Sequence, residues 1–344
     1  MEDEDQNSGL CSKGVAGVNA TSNHVLLTGG AGFIGSHVAQ ALLRLGARLT
    51  VIDNLDDFYS PAAKRTNLKD IRKISDFTFC EVDLCDFDAL RQATARSQPD
   101  TIIHLAARAG VRPSIENPQL YERVNVGGTV NLLQLAREFG VRRFIFGSSS
   151  SVYGITNKVP FVEDDPCLRP ISPYAATKLA GEFFCHTYAH LYGLSTVCLR
   201  FFTVYGPRQR PDLAIRKFAT LMEADKPIPV FGDGSMGRDY TFVDDTVAGV
   251  MAALDYQFPP GEPPFEVFNL GNSHPVSLNE LIETLERVTG RAAIRDRKDL
   301  QPGDVPITWA STEKAARMLG YRPVTPLAEG LEKFVRWLRE EPSR

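Results

Sequence analysis

The sequence predicts an α/β protein with a doubly wound parallel sheet and a second, smaller α/β domain. Three observations support this fold class. Short apolar segments alternate with helical segments, a glycine-rich turn follows the first apolar segment, and the alternation stops near Gly206, where proline and glycine become frequent. Such alternation is typical of parallel sheets whose strands are joined by crossover helices. We therefore expect a ligand site at the carboxyl ends of the strands.

The order of the segments defines the predicted domains. Strand-like segments are found at 24–28, 48–52, 77–82, 101–104, 143–146, 195–200 and 265–270. Helical segments are found at about 33–45, 86–95, 120–139, 173–191, 277–288 and 327–338, and segment 231–237 resembles a hairpin. We predict a disordered tail over 1–23, a main domain over 24–205 plus about 240–275, and a second domain formed by 206–239 and 276–340, interleaved with the first.

Composition argues against nucleic acid and membranes as partners. The 344 residues carry a net charge of −4, with a pI near 5.9, so no basic excess is available for a polyanion. The sequence has neither a long apolar span nor a signal peptide, and the cytosol is the expected location. The cysteines lack metal-ligand spacing, which predicts reduced core thiols and no metal site. They are Cys11, Cys80, Cys85, Cys167, Cys185 and Cys198.

A turn with three glycines, Gly29, Gly32 and Gly35, separates the first strand from the first helix. This order suits the pyrophosphate of a dinucleotide, because it combines a tight turn, close backbone approach and a helix N-terminus facing negative charge. The spacing is GxxGxxG rather than GxGxxG, and a turn without a ligand is the alternative interpretation. The pattern predicts a Rossmann-type dinucleotide-binding domain.

The second strand ends in Asp53, roughly 20 residues after the glycine turn. A carboxylate at this place accepts a hydrogen bond from the 2′-hydroxyl of an adenosine ribose and repels a 2′-phosphate. NAD is therefore favoured over NADP. A turn or N-cap role for Asp53 is the alternative.

Three further segments follow strands and are expected at the same edge of the sheet. They are Asp83-Leu84, Leu105-Ala106-Ala107 and the serine run Ser148-Ser149-Ser150-Ser151-Val152-Tyr153-Gly154. Small residues after a strand allow flat rings to approach closely. The serine run is equally compatible with a flexible loop.

The segment Ser172-Pro-Tyr-Ala-Ala-Thr-Lys178 begins a predicted helix, so Tyr174 and Lys178 lie on one face of it. A tyrosine is a weak base at neutral pH, and a neighbouring ammonium favours its phenolate form. The spacing predicts an acid/base pair. An exposed, solvated Tyr and Lys is the alternative.

Several motifs occur together in one order along the chain. They are the glycine turn, His104-Leu-Ala-Ala107, the serine run, the Tyr174/Lys178 pair, Leu199-Arg-Phe-Phe-Thr-Val-Tyr-Gly-Pro207 and Arg238-Asp-Tyr-Thr-Phe-Val-Asp-Asp245. Over about 24–337 the chain resembles the extended short-chain dehydrogenase/reductases that act on nucleotide sugars. Within that group, Ala106-Ala-Arg-Ala-Gly-Val-Arg112 and Gln301-Pro-Gly-Asp-Val305 are most similar to UDP-glucuronate 4-epimerases, and UDP-glucose 4-epimerases come next.

The resemblance implies NAD as cofactor, a UDP-sugar as substrate and a homodimer formed through the helices at 120–139 and 173–191. The implied catalytic residues are Ser149, Tyr174 and Lys178. The implied cofactor contacts are Gly29, Gly32, Phe33, Ile34, Gly35, Asp53, Asn54, Asp83, Leu84, Leu105, Ala106, Ala107, Tyr174, Lys178 and Phe202. The implied substrate contacts are Arg112, Ser149, Ser150, Ser151, Thr203, Arg210, Arg238 and Asp304.

Some of these substrate residues have a specific expected partner. Arg238 matches the diphosphate-binding arginine of the family, and Asp304 matches the residue that takes a uridine ribose hydroxyl. Arg210 stands between prolines, which suits a diphosphate or a uracil carbonyl, with a solvated surface arginine as the alternative. Thr203 stands where UDP-glucose epimerases usually carry Asn, and its compact hydroxyl suits a carboxylate. A role only at a strand end is the alternative.

Ser150 and Ser151 stand where related 4,6-dehydratases carry an Asp-Glu pair and decarboxylating relatives carry Glu. A serine hydroxyl does not protonate a leaving hydroxyl at neutral pH, so dehydration and oxidative decarboxylation are disfavoured. The remaining reaction is 4-epimerisation through a transient 4-keto sugar. The expected conversion is UDP-glucuronate to UDP-galacturonate, and UDP-glucose/UDP-galactose is the alternative substrate pair. An oxidoreductase that releases NADH and a catalytically idle NAD-binding scaffold are the alternatives from other classes.

Overall fold

The computed structural model describes residues 24–155, 158–299 and 305–340. The strands of its main sheet are β1 (His24–Thr28), β2 (Arg48–Ile52), β3 (Thr78–Cys80), β4 (Thr101–His104), β5 (Arg143–Ser149), β6 (Ser195–Phe201) and β10 (Phe265–Leu270). Adjacent strands are parallel, and their order is β10-β6-β5-β4-β1-β2-β3. The predicted doubly wound parallel sheet is confirmed, and so is the return of segment 265–270 to it.

The described helices include those that cover both faces of this sheet and others that pack on the later part of the chain. They are α1 (Phe33–Arg44), α2 (Pro61–Arg72), α3 (Phe87–Ser97), α4 (Val111–Glu116), α5 (Pro118–Tyr121), α6 (Gly128–Glu138), α7 (Pro173–Tyr192), α8 (Ala214–Glu223), α9 (Val243–Leu254), α10 (Leu278–Thr289), α11 (Glu313–Leu319) and α12 (Leu327–Glu340). Successive side chains of β1 point to opposite faces, so Val25 and Leu27 join one apolar cluster and Leu26 joins the other. The first cluster contains α1 and α9, and the second contains α3, α6 and α7. In the described ranges, none of the helices has the length and apolar character needed to cross a membrane.

Two smaller sheets lie beyond β6 in the chain. One has the order β11-β9-β7 and consists of β7 (Thr203–Tyr205), β9 (Gly237–Phe242) and β11 (Pro275–Ser277). The other pairs β8 (Ile228–Phe231) with β12 (Arg295–Lys298) in parallel. The hairpin predicted at 231–237 is wrong, because β8 and β9 each pair with strands from elsewhere in the chain. The division into a main and a second domain stays a prediction.

The helix predicted over 120–139 is interrupted. α5 is followed by a π-helical turn, Glu122–Gly127, before α6 begins. The turn places the Asn125 amide against the backbone of Arg108: its Oδ1 accepts from the Arg108 N–H at 2.8 Å, and its Nδ2 donates to the Arg108 carbonyl at 3.0 Å. Single π-helical turns inside helices often occur at functional sites.

Helix α7 begins and ends as its sequence predicts. The Ser172 hydroxyl accepts from the Ala175 N–H at 3.1 Å, Pro173 occupies the first turn, and Gly193 ends the helix with a φ of +67°. Gly181 lets α7 pack closely on β5, because a Cβ there would collide with the Phe146 ring. This close packing brings Tyr174 and Lys178 to the carboxyl end of β5.

Candidate active site

A cavity of about 560 Å³ lies at the carboxyl ends of the main strands, next to β1 and β4, where the strand order reverses. Ligands bind at this position in doubly wound sheets. The predicted site residues that line it are Gly29, Gly32, Phe33, Ile34, Gly35, Asp53, Asn54, Asp83, Leu84, Leu105, Ala106, Ala107, Ser149, Ser150, Ser151, Tyr174, Lys178, Phe202, Thr203 and Arg210. The structure thus brings them together, while their individual roles stay predictions.

Two predicted substrate residues, Arg112 and Arg238, are not among the described residues that line this cavity. The Arg112 guanidinium lies over the Phe231 ring, 5.0 Å from its centroid. Arg238 lies on β9, where its Nη1 donates to the Gly237 carbonyl at 2.8 Å. Asp304 falls outside the described residues. The proposed diphosphate and uridine contacts of these three residues stay predictions.

The glycine turn forms a cradle made of backbone. Gly29 has a φ of +71°, which disfavours other residues, and a Cβ there would lie 2.7 Å from the Ala106 nitrogen. A Cβ on Gly35 would collide with the Gly29 carbonyl oxygen. Gly32 is the N-cap of α1 and offers no side-chain cap, so the N–H groups of the first turn are available to an anion. The turn therefore fits the pyrophosphate of a dinucleotide.

Asp53 stabilises this cradle from the end of β2. Its Oδ2 accepts from the Ala31 N–H at 3.1 Å, and its Oδ1 accepts from the Leu55 N–H at 2.9 Å. Burial raises the pKa of this carboxyl. Asp53 therefore has the turn-stabilising role that was the alternative to a ribose contact. Each oxygen keeps a further lone pair, so the ribose contact stays a prediction.

His104 supports the other wall of the cradle. Its Nδ1 lies 2.8 Å from the Thr28 hydroxyl and its Nε2 lies 3.0 Å from the Thr129 hydroxyl. The Thr28 hydroxyl in turn accepts from the Ala106 N–H at 3.2 Å. Burial lowers the pKa of His104 to about 3, so the ring is neutral and its role is structural. The described ranges contain no cluster of His, Cys, Asp and Glu suited to a metal ion.

Ser149 and Tyr174 meet where β5 ends and α7 begins. The Ser149 side chain interacts with Tyr174 and lowers its pKa, and the Ser149 hydroxyl lies 3.1 Å from that of Ser151. Burial raises the pKa of Tyr174, and this effect outweighs the Ser149 interaction and the charge of Arg210, which both lower it. The phenol is therefore held neutral in this structure.

Lys178 lies on the same face of α7 as Tyr174, but its ammonium is engaged elsewhere. Its Nζ donates to the Gly147 carbonyl at 2.6 Å and lies 5.0 Å from the centroid of the Phe146 ring. Burial lowers the pKa of Lys178 to about 8. The groups that lower the pKa of Tyr174 in this structure are Ser149 and Arg210, and the acid/base pairing of Tyr174 with Lys178 stays a prediction.

Arg210 lines the cavity together with Tyr174 and Lys178. Its guanidinium forms two hydrogen bonds to the Asp212 carboxylate, at 2.9 and 2.8 Å, and lies 5.4 Å from the centroid of the Phe58 ring. Only 17% of its side chain is exposed, so the alternative of a solvated surface arginine is wrong. Its charge acts on Tyr174. A contact with the diphosphate or uracil stays a prediction.

Sequence reasoning missed a group of lining residues between β2 and α2 and after β4. They are Asp56, Phe58, Tyr59, Lys64, Arg108 and Arg123. The available signal was the run Asp56-Asp-Phe-Tyr59 directly after the predicted ribose-binding strand, where acidic and aromatic residues stand together. No local sequence pattern indicated that Arg108 lines the cavity, because its position depends on hydrogen bonds between its backbone and Asn125 in the π-helical turn.

The family model described as "NAD dependent epimerase/dehydratase family" matches residues 25–271, which is well over half of the chain. The chain belongs to this family. The resemblance to nucleotide-sugar dehydrogenase/reductases is therefore confirmed. NAD as the cofactor is confirmed as well, because the matched family depends on NAD and the match includes the glycine cradle and Asp53.

Relatives within the family cover nearly the whole chain. A UDP-glucuronate 4-epimerase of Thermodesulfobacterium geofontis is 42% identical, over 92% of this chain and 96% of its own length. The crystal structure of UDP-glucuronic acid 4-epimerase from Bacillus cereus, in complex with UDP-glucuronic acid and NAD, has a TM-score of 0.85 and 36% identity, over 92% of this chain and 99% of that chain.

The second predicted substrate pair also has a structural relative. UDP-glucose 4-epimerase of Thermotoga maritima, with UDP-glucose, has a TM-score of 0.85 and 32% identity, over 93% of this chain and 100% of that chain. Backbone similarity is therefore equal for the two kinds of epimerase, and the choice of sugar depends on side chains in the cavity.

Proposed function

We propose that this protein catalyses the NAD-dependent 4-epimerisation of UDP-glucuronate to UDP-galacturonate through a transient 4-keto sugar. The observation that carries the proposal is that Ser149 and Tyr174 line one cavity together with the hydroxyl side chains of Ser150, Ser151 and Thr203. An acid/base pair serves the C4 hydroxyl, and nearby hydroxyl donors suit a sugar carboxylate. The identity to the epimerase of T. geofontis supports the same substrate.

Tyr174 is the proposed base for the C4 hydroxyl. In this step Tyr174 acts in its phenolate form. Ser149 takes the proton of the C4 hydroxyl and gives its own hydroxyl proton to the Tyr174 phenolate, which becomes a neutral phenol. NAD, held by the glycine cradle beside Asp53, would supply the hydride chemistry at C4. Tyr174 then gives the proton back, so the reaction transfers no net proton or electron.

Lys178 has a positioning role in this proposal. Its bond to the Gly147 carbonyl uses one of the three N–H donors of an ammonium, and the others are available to the nicotinamide ribose. The same bond holds the carboxyl end of β5, which carries Ser149, at a fixed distance from α7, which carries Tyr174.

A 4-keto glucuronate is a β-keto acid, which loses CO₂ when the bond to its carboxylate stands perpendicular to the carbonyl plane. Hydrogen bonds from fixed hydroxyls hold the carboxylate in another orientation. Thr203 has a backbone fixed by its pairing with Tyr240, and Ser151 donates its N–H to the Ser149 hydroxyl at 3.2 Å. These contacts support Ser150, Ser151 and Thr203 as the carboxylate site.

Dehydration would need an acid near the sugar. Among the described residues that line the cavity, the carboxylates are Asp53, Asp56 and Asp83. Asp53 and Asp83 follow β2 and β3 at the cofactor end, and Asp56 forms an ion pair with Arg108. The catalytic end instead carries the neutral hydroxyls of Ser150 and Ser151, which supports epimerisation.

The test is to incubate the purified protein separately with UDP-glucuronate and UDP-glucose and to resolve the products by chromatography. We expect UDP-galacturonate from the first substrate, with no accumulation of NADH or CO₂. Turnover of UDP-glucose alone would favour the second candidate, for which the T. maritima structure is equally similar. Stoichiometric NADH would favour an oxidoreductase, and the absence of any product would favour an idle scaffold.

A homodimer through α6 and α7 is part of the proposal. Phe183, Leu191 and Tyr192 on α7 are exposed by 60%, 60% and 46%, which is unusual for apolar side chains of one helix and supports a partner surface. Light scattering should give twice the mass of the 38.0 kDa chain. The buried, unpaired thiols of Cys185 and Cys198 support the predicted cytosolic location.

A further inference from the structure

The segment between β2 and α2 forms part of the cavity wall. Asp53, Asn54, Asp56, Phe58 and Tyr59 all line the cavity. We call residues 53–60 the strap. The proposed reaction uses only Asp53 and Asn54 from it, so its aromatic residues need another explanation.

The strap is fastened to side chains from distant parts of the chain. Two guanidinium groups lie over the Phe58 ring: the Arg108 Cζ is 5.8 Å from the ring centroid, and the Arg210 Cζ is 5.4 Å from it. Arg108 also forms an ion pair with Asp56, and the Lys64 Nζ donates to the Asp56 carbonyl at 2.6 Å. The strap therefore joins the cofactor end of the cavity to Arg210.

Tyr59 presents its hydroxyl to the glycine cradle. The hydroxyl oxygen is buried and has no hydrogen-bond partner among the described residues. A Cβ on Gly32 would lie 3.6 Å from it, so it lies beside the first turn of α1. The Lys64 ammonium lies 4.7 Å from the centroid of the Tyr59 ring and fixes its place. A buried hydroxyl without a partner destabilises a fold, which indicates a partner that binds later.

The chemistry of this position selects the kind of partner. The open N–H groups at the N-terminus of α1 favour an anion, and the charge of Arg210 acts on Tyr59 as well. Burial raises the pKa of Tyr59, so its hydroxyl stays protonated and donates. A protonated hydroxyl beside an anion site is a hydrogen-bond donor for a phosphate oxygen.

We propose that the Tyr59 hydroxyl donates a hydrogen bond to the pyrophosphate of NAD, and that the strap, fastened by the contacts of Phe58 with Arg108 and Arg210, retains the cofactor. This role concerns a cofactor that must stay bound through both hydride transfers. It requires NAD and does not depend on which UDP-sugar is the substrate.

The first test is Tyr59→Phe, which keeps the ring and removes only the hydroxyl. After removal of bound cofactor, calorimetric titration with NAD should show a dissociation constant raised about 10- to 100-fold, the range for a lost hydrogen bond to a charged group. Tyr188→Phe is the control, because its hydroxyl bonds to Gln134, outside the cavity, and its NAD affinity should equal that of the wild type.

The melting temperature separates this role from a structural one. Without NAD, Tyr59→Phe should melt at the wild-type temperature or above it, since the hydroxyl has no partner to lose. With NAD, it should melt below the wild type. A dissociation constant within twofold of the wild type would overturn the proposal, as would an equal loss of melting temperature with and without NAD.

Phe58→Leu tests the fastening of the strap. We expect NAD to dissociate several-fold faster from this variant, measured by dilution of the loaded protein into a trap for free NAD. Phe77→Leu is the matched control, because Phe77 also lies under a guanidinium, 5.2 Å from that of Arg72, but outside the cavity lining. Equal dissociation rates for the two variants would contradict retention by the strap.

Discussion

The two ends of the cavity are built by different means. At the cofactor end the shape is made by backbone, because Gly29 and Gly35 leave room that any side chain would fill. At the sugar end the chemistry is made by side chains from distant segments, including Ser149, Tyr174 and Arg210. The cofactor end, which is made of backbone, has almost no room for added atoms. At the sugar end, neighbouring side chains set the pKa values and positions of the reactive groups. Substitutions at the two ends should therefore fail in different ways.

The largest expected effect is that of Tyr174→Phe. Without the phenol oxygen there is no base for the C4 hydroxyl, and turnover should fall about 1000-fold, within the range for general acid/base catalysis. NAD should stay bound, measured by its release on denaturation of the purified variant, because the cofactor end is untouched. Near-normal turnover would remove Tyr174 from the mechanism.

Gly35→Ala should damage the cofactor end. The added methyl group collides with the Gly29 carbonyl, and overpacking of this kind costs roughly 1–3 kcal/mol. We expect about a tenfold or greater loss of NAD affinity and a lower melting temperature. Gly127→Ala is the control, since a Cβ there meets no atom within 4 Å, and it should keep its NAD. Equal behaviour of the two variants would contradict a backbone-made cradle.

Arg210→Met tests how neighbours tune the sugar end. The Arg210 charge lowers the pKa of Tyr174, so its removal raises that pKa, and the basic form of Tyr174 then requires a higher pH. The acidic limb of the kcat/KM profile should move to higher pH, with about a tenfold loss at pH 7. Arg210→Lys keeps the charge and should keep the limb in place. An unmoved limb in Arg210→Met would show that this charge does not act on the base.

Thr203→Asn should have the smallest effect. Loss of the compact hydroxyl weakens the carboxylate site, so the ratio of kcat/KM for UDP-glucuronate to that for UDP-glucose should fall about fivefold, as for one hydrogen bond. The two substrates are compared in parallel assays on the same preparation. An unchanged ratio would leave Thr203 with only its strand-end role in β7.

The sequence predicted the backbone-made end better than the side-chain-made end. Glycine spacing and the strand ending in Asp53 are local patterns, and the fold brings them together as expected. The Tyr174/Lys178 spacing also identified the helix face. It did not reveal that Lys178 bonds to Gly147, since that contact depends on the close packing of α7 on β5.

The remaining differences have the same cause. Arg108 and Tyr59 were missed because their places depend on contacts between segments far apart in the chain. The interruption of the helix predicted at 120–139 was missed because a π-helical turn keeps the apolar pattern of a helix while shifting its register. Local patterns therefore predict elements, while the tuning of a catalytic group depends on tertiary contacts.

The central claim is a redox-neutral inversion at C4 by one base and one retained cofactor. The most direct measurement uses UDP-glucuronate that carries deuterium at C4, with the product analysed by mass spectrometry and NMR. The account predicts UDP-galacturonate with the deuterium still at C4. Loss of deuterium to solvent or to free NADH would contradict it.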